Sequence, residues 1–423
     1  METKRYKIED VILDISMGPF GSDIKKEVYT DYGVPVLNGS NLQGFELVED
    51  SFGYVTEEKA DSLKKANARR GDIVITHRGT IGQIVYIPYN SKFDRYVISQ
   101  SQFRVTCNTD IVLPEYLTYY FHTREGQHKL LSNASQVGVP ALARASTTFR
   151  KLEVDLPSVE IQRKAMDVIL GLQQKIAVNR RICENLETQA QTLFKNWFID
   201  FAPFKDGNFI ETELGLIPEG LIYKRIEEIP HTLETGKRPA GGVKGIDSGI
   251  PSIGAENIKG LGCYDYSKTK FVPEEYAASM KKGKIKGYEL LIYKDGGKPG
   301  YFIPNFAIFG EGYPYQEMCL NEHVFKLDFG NKGYSLFAYF FFKTKQIMSY
   351  LNAQGAKAAI PGINSKDIEV IMMPSLENEC VQKYCNEVED IITQILVLSK
   401  ESSRLSALRD TLLPKLMSGQ IKL

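Results

Sequence analysis

Apolar residues recur at alternating steps of three and four along a stretch in the middle of the chain, residues 157–200. Such steps place side chains on one face of a helix in a heptad pattern. The pattern runs through Ile169, Leu172, Ile176, Asn179, Cys183, Leu186, Ala190, Leu193 and Trp197, of which only Asn179 is clearly polar. A helix of about 40 residues would form a rod of roughly 60 Å.

A second heptad pattern lies near the end of the chain, at Val388, Ile391, Ile395, Leu398, Ser402, Leu405, Leu412 and Leu416. One heptad helix alone exposes its apolar seam, so we expect the two rods to pair. Antiparallel pairing is favoured, because it lets the chain run domain, rod, domain, rod under a pseudo-two-fold axis. The predicted pairing residues are Ile169, Leu172, Ile176, Leu186, Leu193, Trp197, Ile391, Ile395, Leu398, Leu405, Leu412 and Leu416. Asn179 either fixes the register of the seam or turns to its solvent edge.

A mixed pattern of strands and helices precedes each rod. In the first half, VPVLNG, GDIVIT, GQIVYIP and QFRVTC are strand-like runs bounded by Gly, Asn and Pro. The stretch PEYLTYYFHTREGQHKLL has helical spacing and opens on a proline. These features predict an α+β domain before each rod.

The first half of the chain can be laid over the second. Pro35 in VPVLNGSNLQG matches Pro251 in IPSIGAENIKG at an offset of 216 (251 − 35), and the rods match at 219 (Leu172 to Ile391). VTEEKADSLKK matches VPEEYAASMKK, GDIVITHRGTIG matches GYELLIYKDGGKPG, and LEVDLPS matches IEVIMMPS. An offset that stays nearly constant across strands, helices and rods indicates an internal duplication.

The composition is that of an ordinary globular protein, with no formal net charge. A chain that binds any polyanion is usually basic, so a bulk polyanion binder is disfavoured, while DNA binding through one face is not excluded. We expect an intracellular protein, because no apolar run approaches a membrane span, the N-terminal residues lack the apolar centre of a signal peptide, and the six cysteines form no CxxC pair.

Signatures of catalysis are missing from the sequence. It contains no P-loop, no Gly-rich loop for S-adenosylmethionine and no Asn/Asp-Pro-Pro-aromatic loop. The histidines at 77, 122, 128, 231 and 323 have no metal-ligand spacing. We therefore expect a protein without its own active site, metal or cofactor.

Several ordered phrases carry a family resemblance: MGPFGSDIKK (17–26), THRGTIG (76–82), LPSVEIQRK (156–164), LFKNWFIDF (193–201), LGLIPEG (214–220) and LRDTLLPKLMSG (408–419). Together with the duplication, this set resembles the specificity (S) subunit of type I restriction–modification systems. Two departures stand out. Leu221 replaces the Trp usual in that family, and GPFGSD has only the loose partner ETGKRPAGG (234–242), so we expect that loop to be built differently in the two domains.

The resemblance implies a non-catalytic reader of double-stranded DNA in the cytoplasm of a bacterium or archaeon. Two target-recognition domains (residues 1–152 and 206–368) would each read one half of a bipartite site. The spacer helices (153–205, with a linker, and 369–423) would set the gap and dock two methyltransferase subunits. These would in turn recruit restriction subunits, so that the assembled complex methylates and cleaves DNA.

The candidate DNA contacts are polar and basic loop residues flanked by Gly. Arg and Lys suit G edges and phosphates, Asn and Gln suit A edges, and Glu suits the C amino group. The candidates are Ser22, Lys25, Lys26, Asn38, Ser40, Asn41, Gln43, Arg78, Thr80, Gln100, Gln102, Gln136, Arg144, Lys237, Arg238, Lys244, Glu256, Asn257, Lys259, Lys294, Lys298, Gln316, Gln354 and Lys357. Asn41 and its counterpart Asn257 keep their type, which also fits a turn-forming role. Ser40 and its counterpart Glu256 differ, as residues that read different bases should.

Two other functions are compatible with the sequence. One is the recognition subunit of a methyltransferase that has no translocating restriction partner. The other is a structural coiled-coil adaptor whose terminal domains bind protein, which would not shift duplex DNA in a gel.

Overall fold

The computed structural model describes residues 3–135, 138–296, 298, 300–357 and 360–421. The chain divides into two compact units. The first unit comprises Met1–Gln174 and Leu405–Leu423, and the second comprises Lys175–Arg404. Each unit therefore contains a globular part and a segment of each long helix.

The described residues of the first unit form twelve strands and five short α-helices before the first long helix. The strands are β1 (Lys4–Lys7), β2 (Ile12–Met17), β3 (Val34–Val36), β4 (Gly53–Val55), β5 (Asn67–Arg69), β6 (Asp72–Thr76), β7 (Ile84–Tyr86), β8 (Arg95–Val97), β9 (Gln102–Cys107), β10 (Ala134–Ser135), β11 (Ala141–Leu142) and β12 (Glu153–Leu156). The helices are α1 (Ile8–Val11), α2 (Glu57–Ser62), α3 (Pro114–His122), α4 (Arg124–Leu131) and α5 (Ala145–Arg150), followed by the long α6 (Val159–Phe198).

The second unit begins with a hairpin and then follows a similar order of strands and helices. Its strands are β13 (Phe209–Thr212), β14 (Gly215–Pro218), β15 (Tyr223–Arg225), β16 (Thr232–Thr235), β17 (Ile250–Ile253), β18 (Lys270–Val272), β19 (Lys284–Ile285), β20 (Leu290–Tyr293), β21 (Phe306–Ala307), β22 (Met318–Leu320), β23 (Val324–Asp328) and β24 (Met372–Pro374). The helices are α7 (Glu274–Ser279), α8 (Lys332–Phe342), α9 (Lys345–Gly355), α10 (Ser365–Glu369) and the long α11 (Glu379–Met417).

The sheets of the two units have the same topology. One four-stranded sheet runs β2-β9-β6-β7 in the first unit and β16-β23-β20-β21 in the second. The other runs β4-β3-β8-β5 and β18-β17-β22-β19, and in each the central pair, β3 with β8 or β17 with β22, is parallel. The small ribbon β1-β12 has its counterpart in β15-β24. The predicted duplication and the mixed α and β character of each half are confirmed.

The predicted helix over residues 114–131 is divided in the structure. Thr123 separates α3 from α4, and its side-chain oxygen accepts a hydrogen bond from the Gly126 amide at 3.1 Å. A threonine that caps a helix start in this way satisfies one of the first amide groups of the new helix. The periodic pattern continued through the break because both short helices bury apolar residues in the same core.

Both long helices pack against each other in an antiparallel sense within each unit. In the second unit the Asn179 amide donates to the Ser402 hydroxyl at 3.3 Å, and the Tyr384 hydroxyl donates to the carbonyl of Ala190 at 3.0 Å. Residues further along α6 contact residues earlier in α11, as expected for an antiparallel pair of helices. In the first unit Arg409 donates to Gln173 at 2.7 Å.

Asn179 is fully buried in this pair. Its side-chain amide also donates to the carboxylate of Glu401 at 2.6 Å. The interpretation that placed Asn179 at the solvent edge of the seam is therefore wrong. A buried amide that finds its partners at only one register disfavours slipped pairings of the two helices.

The buried stripe of the long helices is wider than the heptad seam. Of the predicted pairing residues, Ile169, Ile395 and Leu416 are buried, and the other nine are half-buried. The heptad pattern missed Phe194, Phe198 and Tyr384, which are large side chains buried on these helices. Each helix faces a globular core as well as its partner helix, and this requires a broad apolar face.

An aromatic cluster holds the long helices to the core of the second unit. Phe194 lies 5.2 Å from Phe198, 5.2 Å from Phe337 and 5.5 Å from Tyr384, measured between ring centroids. Trp197, the single tryptophan of the chain, contacts Tyr384 on the partner helix at 6.2 Å. In the part of the chain that the structure describes, no helix has the length and apolarity that a membrane span requires.

We expect Phe194→Ala to destabilise the second unit by about 3–5 kcal/mol, because it removes a fully buried ring and leaves a cavity. Urea unfolding followed by tryptophan fluorescence measures this, since Trp197 reports on the second unit alone. Val178→Ala, at an exposed position of the same helix, is the control and should change stability by less than about 0.5 kcal/mol. Equal midpoints for the two variants would contradict the packing role of Phe194.

Candidate nucleic-acid interface

Loops at one end of the two sheets of the first unit form a continuous surface, here called loop surface 1: residues 18–26, 38–43, 77–83, 99–102, 133–135 and 138–144. Hydrogen bonds join these loops to one another. They run from Gly18 N to Gln102 O (2.8 Å), His77 N to Ser101 O (2.8 Å), Gly79 N to Pro140 O (2.9 Å) and Gln83 Nε2 to Gly39 O (3.1 Å). The candidate residues on these loops are thus brought together on one surface.

The second unit has an equivalent surface, here called loop surface 2: residues 236–238, 254–259, 294–296, 320–323 and 360–364. Its loops are joined by bonds from Gly236 N to Asn321 O (3.2 Å), Asn321 N to Ile253 O (3.0 Å), Lys294 N to His323 O (2.9 Å) and Gly296 N to Pro361 O (2.9 Å). Gln354 and Lys357 adjoin it, because Gly362 N donates to Gly355 O at 2.9 Å.

The two surfaces share one backbone frame. The bond from Gly79 to Pro140 recurs from Gly296 to Pro361, and the 2.8 Å bond from Leu142 N to His77 O recurs from Ile363 N to Lys294 O. Gly18 and Gly236 are equivalent as well. A Cβ on either would lie within 2 Å of a backbone oxygen, at 1.9 Å from Ser99 O or 1.6 Å from Leu320 O. Glycine is therefore required at both positions for the loop to approach its neighbour.

Beyond that glycine the two loops are held by different contacts. In the first unit the Asp23 carboxylate accepts a hydrogen bond from the amide of Phe20 at 3.1 Å. In the second unit Arg238 pairs with Glu322 at 3.1 Å. The side chains that hold the loop thus differ between units while its point of attachment is the same.

Most of the predicted DNA contacts are exposed. These are Ser22, Lys25, Lys26, Asn38, Ser40, Gln43, Arg78, Thr80, Gln100, Arg144, Lys237, Lys244, Lys259, Lys298, Gln316 and Lys357. Arg238, Glu256, Lys294 and Gln354 are half-buried. Gln136 lies outside the described residues. Gln316 precedes β22 whereas loop surface 2 follows it, so Gln316 stands about 10 Å along the strand from the other candidates.

Three predicted readers are buried and do not reach the surface: Asn41, Gln102 and Asn257. The Asn41 amide donates to the carbonyls of Val48 (2.9 Å) and Asp50 (2.7 Å), which closes the loop beneath loop surface 1. Gln102 accepts a bond from the amide of Ser99 at 2.9 Å, and Asn257 accepts one from the amide of Gly254 at 3.0 Å. The prediction that these residues contact DNA is wrong, because their side chains hold loop backbone.

Some of the half-buried candidates already have ionic partners. Glu256 pairs with Lys270 at 2.5 Å, and Lys294 pairs with Asp295 at 3.3 Å. In contrast, the described residues include no carboxylate within 4.0 Å of Lys25, Lys26 or Arg78. These three cations on loop surface 1 are thus available to an anionic ligand.

Arg78 and Asp295 occupy the same place in the duplicated frame. Arg78 is bridged to Ala141 in the first unit, and Asp295 is bridged to Gly362 in the second. Arginine suits the acceptors of guanine, whereas a carboxylate suits the amino group of cytosine. Asp295 is not among the predicted contacts, because matching GDIVITHRGTIG with GYELLIYKDGGKPG from their first glycines sets Lys294 opposite Arg78 at an offset of 216. The backbone bridges place the equivalent residue one position later, at an offset of 217.

The histidine beside Arg78 adds no charge to loop surface 1. The ring of His77 is bonded to the carbonyl of Gln100 at 3.2 Å. Burial lowers the pKa of His77, so its ring is neutral at pH 7. Among the described residues, no group of three or more His, Cys, Asp or Glu is arranged to hold a metal ion.

Comparison with known proteins gives consistent matches. Residues 2–188 match the family model of the type I restriction modification DNA specificity domain. The chain is 27% identical to the type I restriction enzyme MjaIX specificity subunit of Methanocaldococcus jannaschii, over 98% of this chain and 93% of the relative. It is 25% identical to the HindI specificity subunit of Haemophilus influenzae, over 85% and 88% of the two chains.

A solved structure has a similar fold. The crystal structure of the S subunit of a type I restriction–modification system from M. genitalium superposes with a TM-score of 0.54. The match covers 98% of this chain and 96% of that chain at 15% sequence identity. At this identity the similarity concerns the fold alone.

We expect Arg78→Ala and Lys25→Ala each to weaken binding to duplex DNA, because each removes an exposed, unpaired cation from loop surface 1. If either residue contacts one phosphate, the slope of log K against log salt falls by about 0.9. Lys92→Ala is the control, since Lys92 is exposed and precedes β8 while loop surface 1 follows it. Unchanged affinity for both variants in a salt titration would count against these loops.

We expect Asn41→Ala to lower stability by about 1–3 kcal/mol, because the buried Asn41 side chain no longer donates to the carbonyls of Val48 and Asp50. Thermal unfolding measures this loss. Gln43→Ala, an exposed change in the same loop, should alter stability by less than about 0.5 kcal/mol. An Asn41→Ala variant as stable as the Gln43→Ala control would contradict the structural role of this asparagine.

Proposed function

We propose that this chain, a member of the family of type I restriction–modification specificity subunits, recognises a bipartite DNA site, with one half-site read by each loop surface. The observation that carries this proposal is the duplicated frame. The same hydrogen bonds fix the same loops in both units, whereas the exposed side chains on those loops differ. A protein that must read two different short sequences by one mode of docking needs this combination.

The chemistry of the side chains on the two loop surfaces supports base readout. Loop surface 1 presents the exposed Arg78, Gln100 and Ser40. Loop surface 2 presents the exposed Lys237 together with the half-buried carboxylates of Asp295 and Glu256, which pair within the chain with Lys294 and Lys270. Guanidinium, amide and carboxylate groups match the donors and acceptors that base pairs display in the major groove. Because each loop is anchored to a sheet by backbone bonds, these groups are held in place before DNA arrives, which lowers the entropic cost of recognition.

The long helices are proposed to dock two methyltransferase subunits, through which restriction subunits join the complex. Val178 on α6 and Val397 on α11 support this part of the proposal. They are equivalent at the offset of 219 that relates the rods, and they are 51% and 60% exposed. An apolar residue kept exposed at both equivalent positions suits contact with two copies of one partner. The same helices would set the gap between half-sites.

Methylome sequencing of a methylation-free host that carries this chain and a methyltransferase subunit tests the proposal. The expected result is one bipartite methylated motif. Gln100→Ala should relax specificity in one half of the motif only, and Asp295→Asn should relax it in the other half only. A mismatched base pair in the site typically costs about 1–3 kcal/mol of binding free energy, and the variant should lose this discrimination at the base pair that its side chain contacted.

The controls separate this proposal from its rivals. Lys92→Ala should leave both halves of the motif unchanged. Methylation at no defined motif, together with no gel shift of duplex DNA, would indicate a structural adaptor. A change in both half-sites caused by a substitution in one unit would contradict the assignment of one half-site to each unit.

A further inference from the structure

Each unit carries a cluster of exposed cations outside its loop surface. Basic patch 1 consists of Lys64, Lys65, Arg69 and Arg70, and basic patch 2 consists of Lys281, Lys282, Lys284 and Lys286. All eight residues are exposed. In a chain with no formal net charge, two clusters of this density are a marked concentration of positive charge.

The patches occupy the same place in the duplicated fold. Lys64 and Lys281, Lys65 and Lys282, and Arg69 and Lys286 are each related by an offset of 217. Each patch follows the short helix α2 or α7 and includes the edge strand β5 or β19.

A buried carboxylate fixes the turn at the end of each patch. The amide of Arg69 donates to Asp72 at 2.8 Å, and the amide of Lys286 donates to Glu289 at 2.8 Å. Burial raises the pKa of both Asp72 and Glu289. Because both carboxylates are buried behind the turn, they leave the patches themselves facing solvent.

Backbone bonds place each patch beside its loop surface. Ile98 N donates to Ala66 O at 2.9 Å, next to the segment 99–102 of loop surface 1. Leu320 N donates to Gly283 O at 2.7 Å, next to the segment 320–323 of loop surface 2. In the second unit, a cleft of about 710 Å³ is lined by Lys237, Lys281 and Lys282, which connect the patch to the loop surface. Its one acidic lining residue, Glu234, is paired with Lys326 at 2.8 Å.

Most of these cations are not neutralised within the chain. Of the eight, only Arg70 has a carboxylate within 4.0 Å among the described residues, namely Asp94 at 3.0 Å. The nearby acids Glu57 and Asp61 on α2 are both held by Arg95. Like charges so close together repel each other, and this repulsion is relieved when an anion binds.

We infer that the two basic patches bind phosphate groups of the DNA backbone beside the bases that the loops read, an inference that rests on the proposed function. Phosphates are the same in every DNA sequence, whereas base edges differ between the half-sites. Residues that bind phosphates should therefore stay basic in both units, whereas residues that contact base edges should differ between them. The patches stay basic, and the readers diverge, as Arg78 and Asp295 show. A turn that only faces solvent places no constraint on charge, so its cations could have changed in one unit as other loop residues have.

Neutralising three cations of each patch tests the inference in the complex with the methyltransferase subunit. The variants are Lys64→Gln/Lys65→Gln/Arg69→Gln and Lys281→Gln/Lys282→Gln/Lys286→Gln. Arg70 is retained because it also bonds to the carbonyl of Ser91. The control is Lys4→Gln/Lys7→Gln/Lys151→Gln, which removes three exposed charges outside the patches and loop surfaces.

Affinity for a duplex with the methylated motif and for a scrambled duplex is measured across a range of salt concentrations. Each patch variant should reduce the slope of log K against log salt by about 2–3 relative to the control. Affinity should fall by about tenfold or more, and by the same factor for both duplexes. The methylated motif should stay unchanged.

Two results would overturn the inference. One is a patch variant whose salt slope equals that of the control. This includes a variant that binds the methyltransferase subunit less well but keeps the salt slope of the control. The other is a loss confined to the specific duplex, which would make the patch a base reader. A wild-type complex with no preference for any sequence is a different result, because it would refute the proposed function itself.

Discussion

Burial of the apolar faces of α6 and α11 is the constraint on which the rest of the structure depends. Neither helix can stand alone, because each exposes a broad stripe of large side chains. In the second unit Phe194 and Tyr384 join the helix pair to α8 through Phe337. In the first unit Met166 and Leu416 belong to the same core as the strands. The helices are thus parts of the two cores, and the loops are carried on scaffolds that the helices complete.

The duplicated units separate what is fixed from what varies. Glycines at 18 and 236 and the bonds to Pro140 and Pro361 attach the loops at equivalent points in both units. Side chains that point away from this frame have diverged, even to the opposite charge at Arg78 and Asp295. The two halves therefore act as an internal comparison, in which equal residues indicate shared tasks and unequal residues indicate specificity. By this criterion Asn41 and Asn257 are structural, and their burial agrees.

Polar residues inside the fold have several different tasks. Asn179 joins the two helices at one register through Glu401 and Ser402. Asn41 closes a loop, and Asp72 and Glu289 hold the turns beside the basic patches. Each of these four residues makes hydrogen bonds that would be lost in another arrangement, so each favours one conformation over its competitors. Asn41, Asp72 and Glu289 in this way hold backbone beside the surfaces proposed to meet DNA.

The sequence by itself determined four strands of the first unit (β3, β6, β7 and β9), the two long helices and the duplication, because hydrophobic periodicity and a constant offset are local, repeated signals. It also named exposed loop residues, most of which the structure brings together on two equivalent surfaces. Tertiary structure alone decided which polar loop residues are inside. Asn41 and Gln102 resemble base-contacting residues in sequence. An amide side chain offers the same donors and acceptors whether it bonds to loop backbone or to a base. Phe194 and Phe198 were missed because a heptad pattern describes a single helix–helix seam. A helix that also faces a globular core buries a second row of side chains. Only the packed fold shows where that core lies.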